Sequence, residues 1–486
     1  MAKEAKINFG PAKKTKIVCT IGPVTSSEEK LGELLKEGMN VMRLNFSHGD
    51  FAEHQVKVDN LKKATAKTGI PCATLQDLGG PKIRIGEFEK GAITLKEGQT
   101  FTLTTDKIVG NEERVSVNYE PLPKEVKVGG YILLHDGKKK LQVTAIKGKE
   151  VVTKVVAGGE IKSRRGVNLP GAYLSISSLT TKDKSDLEFG IKNNVDFVAF
   201  SFVRRASDVH ELRGILQKAG MKDTKIIAKI EDVEGLENFD ELLTVVDGVM
   251  VARGDLAIEI GAENVPMNQK MMIKKCNQAG KIVITATHML ESMIKNPVPT
   301  RAEVSDIANA VLDGTDAIML SEETTLGDYP VEAVKVMTTV VQKIETHPMY
   351  EELAFDLKTF EEHLTSGVTV DAVTSEVVDV AKSLDAKCIV ALSNHGKTAR
   401  MIARYKPTQD VYVFTPYEKT CRQMLLTFGC TAVKTEKFIG VREALPEIKK
   451  YLQKHKIANK GDRFVLAAAM PLGEGGDTNM VLVETI

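Results

Sequence analysis

The 486-residue chain has no CxxC pair: its six cysteines, at positions 19, 72, 276, 388, 421 and 430, are scattered. Several sit inside apolar runs such as KIVCTI and KCIVAL, so they read as reduced, buried thiols of a cytosolic protein. The nine histidines show no HxxxH spacing, which excludes the common zinc pattern. No GxSxG elbow and no G-x-G-x-x-G after a strand occur, which weighs against a serine hydrolase and a dinucleotide enzyme. No apolar run is long enough to span a membrane. Acids and bases nearly cancel, at a formal charge of +1, which argues against a protein whose main partner is nucleic acid. The N-terminal MAKEAKINFGPAKKTK is too charged for a secretory signal, and its acid and direct run into a strand argue against organelle targeting. Low-complexity segments and short tandem repeats are also absent.

What is present is a recurrent strand. Eight short apolar runs, at 16–21, 39–46, 70–77, 196–203, 225–231, 247–252, 281–287 and 315–321, alternate with helix-like stretches such as SSEEKLGELLKEG. Near-continuous apolar strands suit a parallel sheet covered on both faces. Eight βα units favour a closed barrel, with an open doubly wound sheet as the alternative. Between the third and fourth runs lie over 100 residues that read as strands split by Gly, Asn and Asp (TFTLTT, ERVSVNY, YILLHD, KLQVTAI, EVVTKVVA). The expected domains are therefore a barrel at 1–78 and 177–347, an inserted all-β domain at 79–176 and a C-terminal α/β domain at 348–486.

Chemistry in such a barrel sits where strands end. The runs end in Arg43, Asn45, Ser47 and His48; Asp77, then Lys82 and Arg84; Ser201, Phe202, Arg204 and Arg205; Lys229 and Glu231; Arg253, Gly254 and Asp255; Thr287 and His288; and Ser321, Glu322 and Glu323. The first run ends more blandly in Thr20, Gly22 and Pro23. Polar residues mark any strand exit, so the pattern supports a site without naming its substrate. Lys229 and Glu231 share a strand face, as a structural ion pair or as phosphoryl-transfer machinery. Arg253-Gly254-Asp255 reads as the opening of a helical turn whose free N–H groups suit an anion, with Asp255 as an oxygen ligand for Mg²⁺ beside Glu231. Thr287 has the simpler local reading of an N-cap.

The stretches KIVCTIGP, NVMRLNFSHG, DLGGPKIR, RGVNLPG, KIED, GVMVARGDLAIEIG, ATHMLESM, PTRAEVSDIANAVLDGTDAIMLS and GDYPVEA resemble the pyruvate kinase family. That resemblance implies a TIM (β/α)8 barrel with an inserted small all-β barrel lid and a C-terminal α/β domain. It implies Mg²⁺- or Mn²⁺-dependent phosphoryl transfer from phosphoenolpyruvate to ADP, giving pyruvate and ATP, in a cytoplasmic homotetramer. Glu231 and Asp255 would hold the metal; Lys229, helped by Arg43, would stabilise the moving phosphoryl group; Arg253, Gly254 and Thr287 would hold the substrate carboxylate. Asn45, His48, Arg84 and Pro23 would face the nucleotide, and Asp136 and Arg165 would approach it from the lid. Asn45, Ser47, Asp77 and Leu78 match the family's potassium pocket, but many relatives have Thr at 78 and Glu at 82. Lys82 can supply the charge that K⁺ otherwise provides, so the expectation is an enzyme that does not require K⁺. Gly79, Glu322, Thr325, Leu326 and His288 are further departures. In the C-terminal domain, Ser393, Asn394, His395, Gly396, Lys397 and Thr398 form a P-loop-like tail without its first glycine, where the family binds sugar phosphates as activators; AMP is a further candidate. The glycine-rich stretch 472–480 would close over it. Two competing readings are a scaffold descended from such a kinase and another Mg²⁺-dependent barrel acting on pyruvate enolates.

Overall fold

The computed structural model describes residues 10–354, 367–472 and 476–486. Strands β1 (Lys16–Thr20), β2 (Val41–Asn45) and β3 (Ala73–Asp77) open a parallel barrel. The chain then leaves it to form β4 (Ala92–Leu95), β5 (Thr100–Thr104), β6 (Arg114–Ser116), β7 (Tyr131–Leu134), β8 (Lys139–Lys147), β9 (Glu150–Ala157), β10 (Gly159–Lys162) and β11 (Val167–Asn168). These build a six-stranded sheet and a two-stranded one around their own core, which includes Phe101, Leu103, Leu141 and Val151. The chain returns through β12 (Phe197–Phe200), β13 (Lys225–Ile230), β14 (Gly248–Ala252), β15 (Ile282–Ala286) and β16 (Ala317–Leu320), and β16 pairs with β1 to close an eight-stranded barrel. Closure rather than an open sheet follows from this last pairing, which leaves no exposed edge.

Alternation along each strand divides the apolar residues. On β1, Val18 faces the barrel interior while Ile17 and Cys19 face the surrounding helices. The helices begin and end on local signals. Ser27 caps the Glu28–Glu37 helix by accepting from the Lys30 N–H, and Gly38 ends it at φ 119°.

The C-terminal domain is a five-stranded sheet ordered β19 (Cys430–Lys434), β18 (Asp410–Thr415), β17 (Cys388–Leu392), β20 (Arg463–Ala468) and β21 (Met480–Thr485). Its last strand is antiparallel. Leu425 and Leu426 leave this domain to join the barrel's interior cluster with Val18, Phe197 and Ile227, so the barrel is plugged by a neighbouring domain. Ion pairs reinforce the seam. Lys406 Nζ lies 2.8 Å from the Asp316 carboxylate, and both side chains are almost fully buried. Lys406→Met strips a buried carboxylate of its cation and is expected to cost about 3 kcal/mol, measured by urea unfolding; an unchanged midpoint contradicts this.

Behind β2, His54 is 1 % exposed, its ring stacked on Phe46 at 4.2 Å and its Nε2 3.0 Å from the His48 carbonyl. Burial, with help from Lys57, pulls its pKa down to about 4. The unfolded chain therefore binds a proton that the folded one refuses between the ordinary histidine value and about 4. This contribution to stability is intact above the unfolded pKa and is lost as pH falls toward the folded one. The chain is expected to lose about 2 kcal/mol more than His54→Gln between about pH 7.5 and about pH 5. Equal losses in urea titrations contradict it.

Among the described residues no helix is long and apolar enough to cross a membrane.

Candidate active site

Each functional side chain lies a step of two beyond a core residue on the same strand face. Val41 faces the barrel interior on β2, so Arg43 and Asn45 do as well; Leu75 leads to Asp77 on β3, Ala199 to Ser201 beyond β12, and Ile227 to Lys229 on β13 and Glu231 just beyond it. Adjacent strands then bring Asp77, Ser201 and Lys229 together, because the sheet order runs β3, β12, β13.

Lys229 is the hub. Its Nζ lies 2.9 Å from the Glu231 carboxylate and 3.3 Å from that of Asp77, and it donates to Ser201 Oγ at 2.7 Å. Asp77 also accepts from Arg43 Nε at 2.7 Å, and Arg43 Nη1 donates to Thr20 Oγ1 at 2.7 Å. Asp77 is 0 % and Glu231 1 % exposed. Burial works against the charge on Lys229, but the Asp77 and Glu231 carboxylates outweigh it and raise the pKa, so the ammonium stays protonated. Burial likewise opposes ionisation of Asp77, and Lys229 with Arg43 overcomes it. Glu231 is different. Burial, reinforced by Asp255, pushes it up to about 7 despite Lys229 and an N–H donated by Phe202 at 2.7 Å.

Strand β14 runs directly into the Arg253–Ile260 helix. Its start has no side-chain cap; the Gly254 N–H donates instead to Thr287 Oγ1 at 2.8 Å, and that hydroxyl donates to the Ala286 carbonyl at 2.7 Å. Thr287 therefore serves the helix N-terminus that follows the neighbouring strand β14, in place of the local N-cap its own sequence suggests. It holds φ 68°, an uncommon conformation for a β-branched residue, and His288 follows at φ 54°. The Arg253 side chain turns away from the rim: Nη1 donates to Asp306 at 2.7 Å and Nη2 to the Thr287 carbonyl at 2.6 Å. Only its backbone is placed to meet a ligand.

Glu231 and Asp255 suit a divalent cation. Their mutual repulsion is part of what raises Glu231, and a cation between them relieves it. Among the described residues no group of three or more His, Cys, Asp or Glu is placed to hold a metal. A Mg²⁺ ion here would rely on two carboxylates and fill its shell with substrate oxygens and water, its usual habit.

The segment that follows β3 adds cations near these carboxylates. Burial and the neighbouring Arg84 and Lys229 pull Lys82 below the ordinary lysine value, while Asp255 and Glu231 oppose them. Burial and the charges on Lys82, Arg84 and Arg43 also lower His48. The turn that carries Lys82 depends on Gly80: at φ 64°, an added Cβ would sit 2.8 Å from Ser201 Cβ. Of the four potassium-pocket positions, Asn45 Oδ1 accepts from the Ser47 N–H at 3.1 Å, the Leu78 carbonyl accepts from Ser201 Oγ at 2.7 Å, and Asp77 is engaged by Arg43 and Lys229. Ser47 Oγ lies beside Gly79.

The inserted domain and the barrel meet over the Arg253–Ile260 helix. The Asn168 side chain and the Gly171 backbone approach Glu259, and Gly137 at the β7–β8 turn lies against Ile258. Asp136 occupies that turn, exposed, at φ 55°. Arg165 carries a buried Nε with no hydrogen-bond partner, and Arg84 Nη1 donates to the Arg164 carbonyl at 2.9 Å. Pro23 is exposed in a 3-10 turn beyond β1. In the C-terminal domain Lys397 pairs with Asp477, and Thr478 Oγ1 donates to Thr398 Oγ1 at 2.9 Å. His395 stacks on Tyr417, Gly396 takes φ 77°, the Asn394 carbonyl accepts from Thr415 and Thr420, and the Ser393 N–H donates to the Phe414 carbonyl. Residues 473–475 of the expected closing stretch lie outside the described residues.

Sequence reasoning placed Ser201 at a strand end without a role, and gave none to the Phe202 N–H that binds Glu231. A serine ending an apolar run was the available signal for the first. Nothing local announces the second, which rests on Phe202 at φ 51°.

A family profile described as pyruvate kinase, barrel domain, matches residues 12–334, and one described as pyruvate kinase, alpha/beta domain, matches residues 371–484. The chain belongs to the pyruvate kinase family. It is 44 % identical over 474 residues to a pyruvate kinase of Clostridium perfringens, covering 97 % of this chain and 100 % of that one. It is 44 % identical over 476 residues to the pyruvate kinase of Geobacillus stearothermophilus, across 98 % of this chain and 80 % of that protein. The crystal structure of a pyruvate kinase from Cryptosporidium parvum superposes with a TM-score of 0.89 at 36 % identity, covering 97 % of this chain and 96 % of that one.

Proposed function

We propose that the chain transfers the phosphoryl group of phosphoenolpyruvate to ADP, forming pyruvate and ATP as the last step of glycolysis. The supporting observation is the Lys229 amine held between Asp77 and Glu231, beside the N-terminus of the Arg253–Ile260 helix. The backbone at Arg253 and Gly254, with the Thr287 hydroxyl, receives the substrate carboxylate at a helix start that favours negative charge. Lys229 and Arg43 face the phosphoryl group as it moves, so positive charge is already in place where negative charge is shared between two oxygens. Glu231 and Asp255 would hold Mg²⁺ or Mn²⁺, which would neutralise charge on the substrate oxygens. Asn45, His48 and Arg84, with Pro23 at the edge, receive the ADP phosphates and base, and Asp136 and Arg165 reach them from the lid. A closed lid excludes water that would otherwise take the phosphoryl group.

Lys82 stands where K⁺ would otherwise supply charge, so the reaction proceeds without K⁺. The Asn45, Ser47, Asp77 and Leu78 pocket then serves as scaffold. Residues Ser393–Thr398 bind a sugar phosphate or AMP as activator, which frees Lys397 from Asp477. The enzyme is cytoplasmic and assembles as a homotetramer. Phosphorus NMR on the chain mixed with phosphoenolpyruvate, ADP and magnesium tests the reaction: loss of the phosphoenolpyruvate signal should match the gain of γ-phosphate. Inorganic phosphate as the main product contradicts it.

A further inference from the structure

Residues 173–179 return the chain from the inserted domain to the barrel and belong to no strand or helix. A buried arginine holds them. Arg204, 4 % exposed, lies between β12 and the Ala206–Lys218 helix. Its Nη1 donates to the Leu174 carbonyl at 3.0 Å and its Nη2 to the Ile176 carbonyl at 2.5 Å. Nη2 also lies 3.4 Å from Ser178 Oγ, and that hydroxyl is 2.7 Å from the Phe202 carbonyl. The arginine is itself fixed to the barrel: its N–H donates to Asp208 at 3.2 Å, its carbonyl accepts from Asn238 at 2.9 Å, and Asp232 meets its charge at 3.9 Å. The inserted domain grips the same stretch from the other side. Glu125, which ends the short Leu122–Glu125 helix, accepts from the Ser175 N–H at 3.2 Å and is held by the hydroxyl of Tyr119, a member of that domain's core. A trans peptide directs its C=O and its N–H to opposite sides. The Leu174–Ser175 peptide is therefore held on one edge by the barrel and on the other by the inserted domain.

We propose that Arg204 is a positioning residue that makes the Leu174–Ser175 peptide the pivot of the inserted domain, and so sets where Asp136 and Arg165 meet the nucleotide. This rests on the reading that the domain closes over ADP. Two carbonyls two residues apart match the forked donors of a guanidinium. A lysine keeps the charge beside Asp232 but offers one compact ammonium in place of the fork. The outgoing segment is fixed nearby, where the Gly80 N–H donates to Asp183 at 3.1 Å in the first turn of the Thr181–Lys192 helix. The inserted domain thus swings from two attachments on one side of the rim. Lys229, Arg43 and the Arg253–Ile260 helix belong to the barrel. A loosened pivot therefore weakens the grip on ADP and spares phosphoenolpyruvate.

The test is hydrogen exchange on the full chain, read by mass spectrometry over residues 172–179, beside steady-state kinetics. Arg204→Lys should speed exchange in that stretch by about tenfold or more, with the barrel strands unchanged. It should raise the KM for ADP about tenfold while the KM for phosphoenolpyruvate stays within about twofold. Glu125→Ala leaves the barrel untouched and should shift both readouts in the same direction. Because both side chains grip one peptide, the double variant should raise the KM for ADP by less than the product of the single effects. Unchanged exchange at 172–179 in both variants, equal rises in the two KM values, or strictly multiplicative effects would overturn the proposal. An unsubstituted chain that forms no ATP would end the functional reading instead, and the exchange rates would still decide whether Arg204 holds the segment.

Discussion

Lys229→Met is expected to lower turnover by about 10³-fold or more, equivalent to about 4 kcal/mol of barrel-rim transition-state stabilisation lost. Among the described residues the ammonium is the one cation in contact with both Asp77 and Glu231, and it also meets Ser201. Methionine fills similar volume but carries no charge. It leaves Asp77 neutralised by Arg43 at 2.7 Å, so the fold has a means of tolerating the change. Glu231 loses its only cationic neighbour within 4.0 Å among the described residues and should take up a proton more readily. Steady-state rates with magnesium in excess, beside circular dichroism to confirm folding, make the measurement. Turnover within tenfold of the unsubstituted chain would show that the ammonium is only a structural partner of the two acids.

The second large effect concerns potassium. In a buffer with tetramethylammonium as the cation, the unsubstituted chain should turn over at nearly its full rate. Lys82→Glu should lower that rate by about tenfold or more, about 1.4 kcal/mol, and added K⁺ should restore much of it. The argument is one of charge. Lys82 lies within electrostatic reach of Lys229, Asp255 and Glu231, and a carboxylate there reverses its contribution. A rise of more than about tenfold when K⁺ is added to the unsubstituted chain would refute the substitution of lysine for the ion.

The barrel was legible because its signal is local. Apolar runs such as KIIAKI end on polar residues, and a period of two carries the inward face from Ile227 to Lys229 and Glu231. The inserted domain was legible from the change of pattern after β3, and the C-terminal sheet from a renewed alternation of strand and helix. What the sequence hid is non-local. Asp77 and Lys229 are about 150 positions apart, and only the order β3, β12, β13 makes them partners. The family resemblance gave Asp77 a place in a potassium pocket; in the fold its carboxylate is engaged by Arg43 and Lys229. Thr287 looked like an N-cap because caps are local, whereas the N–H it accepts comes from Gly254. The plug formed by Leu425 and Leu426 is unremarkable in sequence, since two leucines in a turn announce nothing about another domain's interior. The antiparallel β21 was equally silent, because strand direction is set by pairing with β20 and not by the strand's own residues.

The most direct measurement of the account is the initial rate of pyruvate formation from phosphoenolpyruvate, coupled to lactate dehydrogenase, with ADP, the divalent cation and the protein each omitted in turn. The account predicts a rate that vanishes with any one omission and an equal yield of ATP and pyruvate. Pyruvate formed at an undiminished rate without ADP, or no turnover with everything present, would contradict it.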